Sequence, residues 1–185
     1  GVTLVNPDTV YIDGQAQLAV DVTIQPNTHV LGKSRVGPRC EIGPNSVITD
    51  TEIGEDSRVV SSHTESASIG RRVSVGPFSR LRPGTVLADD VYIGNFAEVK
   101  NSRIGAGTRI GHHSYIGDAS VGKRVNIGAG TVTCNFDGTA KHRTVIGDEA
   151  LIGSATMLVA PIEVGERART GAGTVAISDI PADTT

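Results

Sequence analysis

The chain is predicted to be all-β, a single-stranded parallel β-helix of triangular coils with one extended loop, and three observations predict it. An aliphatic residue recurs at steps of six, glycine commonly follows it, and a small or branched residue stands four places after it. Anchors run through Ile12, Leu18, Ile24, Val30, Val36, Ile42 and Ile48, then Ile53 and Val59. After an irregular patch at 61–68 they resume at Ile69, Val75, Leu81, Leu87, Ile93 and Val99. Thr28, Ser34, Cys40 and Ser46 begin the series of small residues. Neither a helical period nor hairpin alternation fits this frame. A β-sandwich would place turn signals at about every 8–12 residues and lose the frame between them.

Each hexad reads as a short strand plus a turn, and three hexads close one coil of about 18 residues. The anchor fills the prism, the glycine is expected to permit the tight corner, and the small residue packs beneath it. About nine coils fit between Ile12 and Val175, a stack roughly 45 Å tall in which stability is a sum over neighbours. Residues 1–11 read as a linker remnant with a first strand, 12–175 as the β-helix with a loop at 135–144, and 176–185 as a truncated tail.

Composition narrows the function. The 185 residues hold 23 glycines, no tryptophan and 3% aromatics, so the interior must be built from small branched side chains. A net charge of −3 gives no nucleic-acid footprint. No apolar run is long enough for a membrane span and no signal-peptide pattern opens the chain, so a soluble, cytoplasmic protein is expected. Cys40 and Cys134 form no CxxC pair, which argues against a metal knuckle or a disulfide scaffold, and no metal is expected.

In a solenoid, function is sought where the frame is broken. After the anchors Leu81 and Val99, where a small residue is usual, stand Arg82 and Lys100, three hexads apart and therefore vertical neighbours. Two stacked cations repel unless an anion lies against them; two solvated surface cations is the plain alternative. The hexad Ile110–Tyr115 puts His112 at a turn, with Asn95 at the equivalent place one coil earlier and Ala129 one coil later. An imidazole, ordinarily titrating near pH 6.5, suits general-base work, although a corner histidine is common enough without it. Glu98 and Tyr115 share a hexad place on adjacent coils and flank this region. Between Thr133 and Ile146 about seven residues too many leave the prism as a loop carrying Asp137-Gly138 and Lys141, and such excursions are usually functional. The patch at 61–68, short by two residues, is read as a tolerated irregularity.

The ordered series Gly76-Pro77-Phe78-Ser79-Arg80-Leu81-Arg82-Pro83-Gly84, Gly94-Asn95-Phe96-Ala97-Glu98-Val99-Lys100, Gly111-His112-His113-Ser114-Tyr115-Ile116-Gly117-Asp118-Ala119, Val125-Asn126-Ile127-Gly128-Ala129-Gly130-Thr131 and Thr133-Cys134-Asn135-Phe136-Asp137-Gly138 carries a resemblance. It resembles the C-terminal domain of the bacterial bifunctional glucosamine-1-phosphate acetyltransferase and N-acetylglucosamine-1-phosphate uridylyltransferase, a hexapeptide-repeat family, over nearly the whole chain. The resemblance implies a left-handed coil and transfer of the acetyl group of acetyl-CoA, as co-substrate, to the 2-amino group of glucosamine 1-phosphate. It places that step on the route to UDP-N-acetylglucosamine and the cell wall. It implies His112 as general base; Arg82, Lys100, Tyr115, Asn126 and Lys141 on the sugar phosphate; and Ala129, Asn135, Phe136, Ser154 and Ala172 on acetyl-CoA. It also implies a homotrimer with its active sites between subunits. Phe136 stands where the family often has tyrosine. The basic tail that completes the coenzyme pocket and the nucleotide-loop motif of an N-terminal domain are not among these residues.

The chemistry is consistent with that reading. An amine attacks a thioester only as the free base, so an imidazole must accept its proton. Glu98 is expected to orient that imidazole, and Asn135 or Ser154 to donate to the tetrahedral oxyanion. Direct attack forms no acyl-enzyme and needs neither cysteine as nucleophile; only a covalent route would use Cys134, beside Asn135. Three alternatives stand beside this reading: a hexapeptide acyltransferase for another amine, a zinc enzyme requiring three converging histidines, and a non-catalytic scaffold with a monotonous threonine face. The spacing of His29, His63, His112, His113 and His142 and the scatter of threonines fit the last two poorly.

Overall fold

A computed structural model describes residues Gly1–Thr185. Short strands stack into three parallel sheets of nine, ten and nine strands, each strand pairing with the one a full turn away. The coil is left-handed. The right-handed crossover rule concerns a helix packing back on its sheet, and here the connection consists of two more strands. The second sheet has ten rungs where the sequence suggests about nine. Nine coil steps between Tyr11–Ile12 and Val175–Ala176 separate these ten rungs, and the ends add pairings on the other two sheets, Thr3–Leu4 with Thr23–Ile24 and Ile180 with Val164.

The interior is the anchor series. Ile24, Ile42, Ile48, Leu81, Leu87, Ile93, Ile110, Ile116, Ile146 and Ile152 are fully buried in one continuous cluster. Small hydroxyl residues run up the inside of the corners and tie coils together. The Oγ of Ser46 accepts from the Ser62 amide, that of Ser62 from Ser79, and that of Ser79 from Ala97. Buried polar groups are thereby spent on backbone donors that the strand ladders leave free.

Two details depart from the sequence reading. The residue that turns each corner with positive φ is mostly not glycine: Arg39, Asp56, Arg72, Phe78, Phe96 and His113 all adopt it. The glycine after the anchor serves close approach instead, since a Cβ at Gly54 would lie 2.6 Å from the carbonyl carbon of Gly70 on the next coil. The patch at 61–68 is a complete rung. His63–Glu65 pairs with Val47–Thr49 below and with Arg80–Leu81 above, and Thr64 takes the anchor place between Ile48 and Leu81. Two sides of five residues account for the shortfall, and Thr64, nearly the shape of valine, fills the prism with its hydroxyl unpartnered.

Candidate functional site

Two clusters form, on different faces. The first lies along the edge where the second sheet turns into the third. Leu81 pairs with Val99, so Arg82 and Lys100 stack as expected, and Lys100 is opposite Gly117 on the rung above. A Cβ on Gly117 would lie 2.4 Å from the Tyr115 hydroxyl and 2.7 Å from the Asn135 amide nitrogen. That missing side chain is what lets Tyr115 and Asn135 meet above Gly117, the Asn135 amide donating to the Tyr115 hydroxyl at 3.4 Å.

Asp118, which the sequence reading passed over, is the hub of this cluster. It turns the corner with positive φ; one carboxylate oxygen accepts from Asn101 at 2.6 Å, the other from Asn135 at 2.5 Å, and the latter lies 3.5 Å from the Lys100 ammonium. Burial pushes its pKa up, but the hydrogen bonds from Asn101 and Asn135 and the charge of Lys100 outweigh that and hold it below the ordinary carboxylate range. Arg82 pairs with Glu98 at 2.9 Å.

Lys141 reaches the cluster from the loop, which is a compact hairpin. Phe136 bridges Lys141, Asp137 accepts from the amides of Thr139 and Ala140 at 2.7 Å each, and its other oxygen meets His142 at 2.6 Å. The neighbouring Lys100 side chain pushes the pKa of Lys141 down. Glu98 is paired to Arg82 and Asp118 to Lys100, Glu65 stands one rung below Arg82, and Lys141 has no carboxylate of its own. Phe136 stays exposed at the hairpin.

The second cluster lines a cleft of about 390 Å³ on the first sheet, walled by Tyr92, Arg109, Gly111, His112, Asn126, Ile127, Gly128, Ala129 and Ser154. The Arg109 guanidinium lies 4.7 Å over the Tyr92 ring. The pairings Arg109 with Asn126, Asn126 with Leu151 and Leu151 with Arg169 place His112, Ala129, Ser154 and Ala172 one above another along the edge between the first and second sheets. Three of the five residues that the resemblance assigns to the coenzyme, Ala129, Ser154 and Ala172, thus form a column rising from the imidazole. A larger cavity, about 520 Å³ near Gln17, Arg35, Glu52 and Ser68, contains neither histidine nor cysteine.

The structure separates some residues that the sequence grouped. Glu98 lies against Arg82, whereas the residue meeting His112 is Asn95, whose Oδ1 contacts Nδ1. Asn126, assigned to the sugar phosphate with Lys100, lies on the first sheet beside His112. His112 and Lys100 stand at opposite edges of the second sheet, since Gly117, opposite Lys100, is five residues beyond His112, roughly 15 Å of extended chain. No group of three or more His, Cys, Asp or Glu side chains is placed to hold a metal ion.

The family described as GMPPB C-terminal domain matches residues 63–164, and bacterial transferase hexapeptide repeats match residues 21–50. The bifunctional protein GlmU of Carboxydothermus hydrogenoformans is 51% identical over 181 residues, covering 98% of this chain and 41% of that protein. GlmU of Mycobacterium tuberculosis is 48% identical, over 98% of this chain and 37% of its own length. The chain therefore spans about two fifths of the relatives it matches. Among solved structures, the Arabidopsis UDP-N-acetylglucosamine acyltransferase superposes with a TM-score of 0.73 at 18% identity, over 94% of this chain and 68% of that one. LpxA of Acinetobacter baumannii gives 0.64 at 18%, over 94% and 67%. Both likenesses are of fold.

Proposed function

This chain belongs to the GMPPB C-terminal domain family, and on that premise we propose that it is a glucosamine-1-phosphate N-acetyltransferase with acetyl-CoA as co-substrate. The carrying observation is the convergence of three cations. Arg82, Lys100 and Lys141 meet at one edge, Glu98 and Asp118 are already taken by Arg82 and Lys100, and Lys141 has no carboxylate in ion-pair range, so a phosphate dianion is the partner it lacks. Tyr115 and Asn135 then donate to sugar hydroxyls beside it.

The coenzyme runs along the His112–Ala129–Ser154–Ala172 column, where small side chains leave its pantetheine arm room and bring the thioester to His112. With the amine deprotonated by the imidazole, its nitrogen attacks the thioester carbon and a carbon–nitrogen bond forms. The tetrahedral oxyanion then collapses, the carbon–sulfur bond breaks, and the thiolate takes a proton as free coenzyme. The Ser154 hydroxyl or backbone N–H is the oxyanion donor on this face. Asn135, held by Asp118, belongs with the sugar.

One prism cannot offer both Asn126 and Lys100 to a single sugar, because they lie on faces turned roughly a third of a revolution apart. The site is therefore completed by a neighbouring copy, in a homotrimer of side-by-side prisms. The relatives' name, bifunctional protein GlmU, supports reading this chain as the acetyltransferase part of such an enzyme, acting before a uridylyltransferase on the way to UDP-N-acetylglucosamine. No helix is long and apolar enough to cross a membrane and both cysteines are free thiols, which supports a place in the reducing cytoplasm. The test is thiol release from acetyl-CoA with glucosamine 1-phosphate, galactosamine 1-phosphate or serine as acceptor. Turnover with the first alone is expected, and equal rates with serine would refute the sugar-phosphate assignment.

A further inference from the structure

We infer that Asn95 is the positioning residue of the catalytic imidazole, holding His112 by Nδ1 in the one neutral tautomer that leaves Nε2 free to take the substrate's proton. This rests on the reading of His112 as base and adds the group that prepares it. Asn95 ends the strand Tyr92–Asn95 and His112 ends Arg109–His112 one rung above, in direct register. The two side chains leave the first sheet at the same corner, and Asn95 Oδ1 contacts His112 Nδ1. With the amide oxygen turned to the ring, Nδ1 is the donor, and a neutral ring then carries its lone pair at Nε2.

The backbone of the corner is held by hydrogen bonds. The His112 carbonyl accepts from the Gly130 amide at 3.2 Å and from the Ser114 hydroxyl at 2.8 Å, and the His113 amide donates to the Asn95 carbonyl at 3.1 Å. Beside them the rings of Phe78, Phe96 and His113 stack at centroid distances of 5.5 and 5.1 Å. The backbone of both residues is thereby fixed, and the contact with Asn95 is what orients the exposed imidazole.

The partner of the ring is a neutral amide and not a carboxylate. Arg109 and Tyr92 line the same cleft and His113 stands alongside, while Glu98, the nearest acid in sequence, is held by Arg82. A carboxylate against Nδ1 would also orient the ring, but it would favour the imidazolium over the neutral ring. The neutral amide orients the ring and leaves it able to accept a proton.

The full chain is tested with Asn95→Leu, Asn95→Asp and His112→Ala, by kinetics across pH and by nitrogen-15 NMR of histidine-labelled protein. Wild type is expected to show His112 protonated at Nδ1 when neutral, and Asn95→Leu to show loss of that tautomer. Asn95→Leu should lower kcat about 10- to 100-fold with both KM values nearly unchanged. Asn95→Asp, close in shape, should recover most of kcat at alkaline pH with the acidic limb of the pH profile displaced upward. An Nε2-protonated His112 in wild type, or Asn95→Leu with unaltered kcat and unaltered tautomer, overturns the inference. Full activity in His112→Ala would instead sink the base assignment, and the NMR spectrum would still decide whether Asn95 holds the ring.

Discussion

Two vertical edges of the prism share one backbone and carry opposite kinds of side chain. Where the third sheet turns into the first, the residues at positive φ read Asp21, Arg39, Asp56, Arg72, Asp90, Gly107, Arg124, Glu149, Arg167 and Asp183, alternating in sign around a single glycine. Arg39 pairs with Asp56, Arg72 with Asp90, Arg124 with Glu149 and Arg167 with Asp183, each on the next rung. Where the first sheet turns into the second, the same positions hold Phe78, Phe96 and His113 at φ of 60°, 58° and 47°. The first edge neutralises every charge in place. The second keeps carboxylates away from His112 and packs the corner with rings. The solenoid thus supplies a uniform scaffold, and the side chain at each corner decides whether that corner stacks coils or does chemistry.

The strongest way to break the comparison is at the imidazole. His112→Ala should cut kcat by about 10²–10⁴-fold while circular dichroism and Tm stay at wild-type values, because nothing in the core depends on it. Next come two glycines of one column. A Cβ on Gly128 would lie 2.5 Å from the Ser154 amide nitrogen, whereas a Cβ on Gly111 would meet nothing within 4 Å, and neither has positive φ. Gly128→Ala should therefore lose about 1–3 kcal/mol in a denaturant titration. Gly111→Ala should fold normally and lose about tenfold in kcat/KM, the added methyl standing in the cleft.

At the cation edge, Arg82→Ala or Lys141→Ala should raise KM for the sugar phosphate about tenfold or more and leave that for acetyl-CoA unchanged. A shift in the coenzyme KM instead would reverse the two faces. Lys141 also sets a pH dependence. Its pKa is lowered, so its charge is present below that value and lost as pH rises through it, earlier than for an ordinary lysine. The sugar-phosphate KM should climb on that alkaline side, phosphate binding should take up protons there, and Lys141→Arg should abolish both effects. The smallest effect belongs to the charged edge. Arg72→Asp should lower Tm slightly, more at low salt than at high, with kcat unchanged, and Arg72→Asp with Asp90→Arg should restore it.

The stack was legible in the sequence because anchors such as Ile42, Ile48, Ile93 and Ile110 report burial at a fixed period, and a period survives without knowledge of what lies opposite. Thr64 escaped because a threonine at an anchor place is isosteric with valine but not aliphatic. The role of the glycines was misassigned for a related reason. Their spacing is visible in the chain, but whether a missing Cβ relieves a dihedral or a neighbouring coil is not.

By itself the amino-acid order determined the coil, the vertical pairing of Arg82 with Lys100 and of Asn95 with His112, and the exit of the loop after Thr133, since all of these follow from counting residues per turn. Only the tertiary structure decided which partner each side chain chose. Glu98 went to Arg82, Asp118 gathered Lys100, Asn101 and Asn135, and the imidazole found an amide. Those choices depend on which of three faces a residue points from and how far its side chain reaches. A one-dimensional period cannot carry that information.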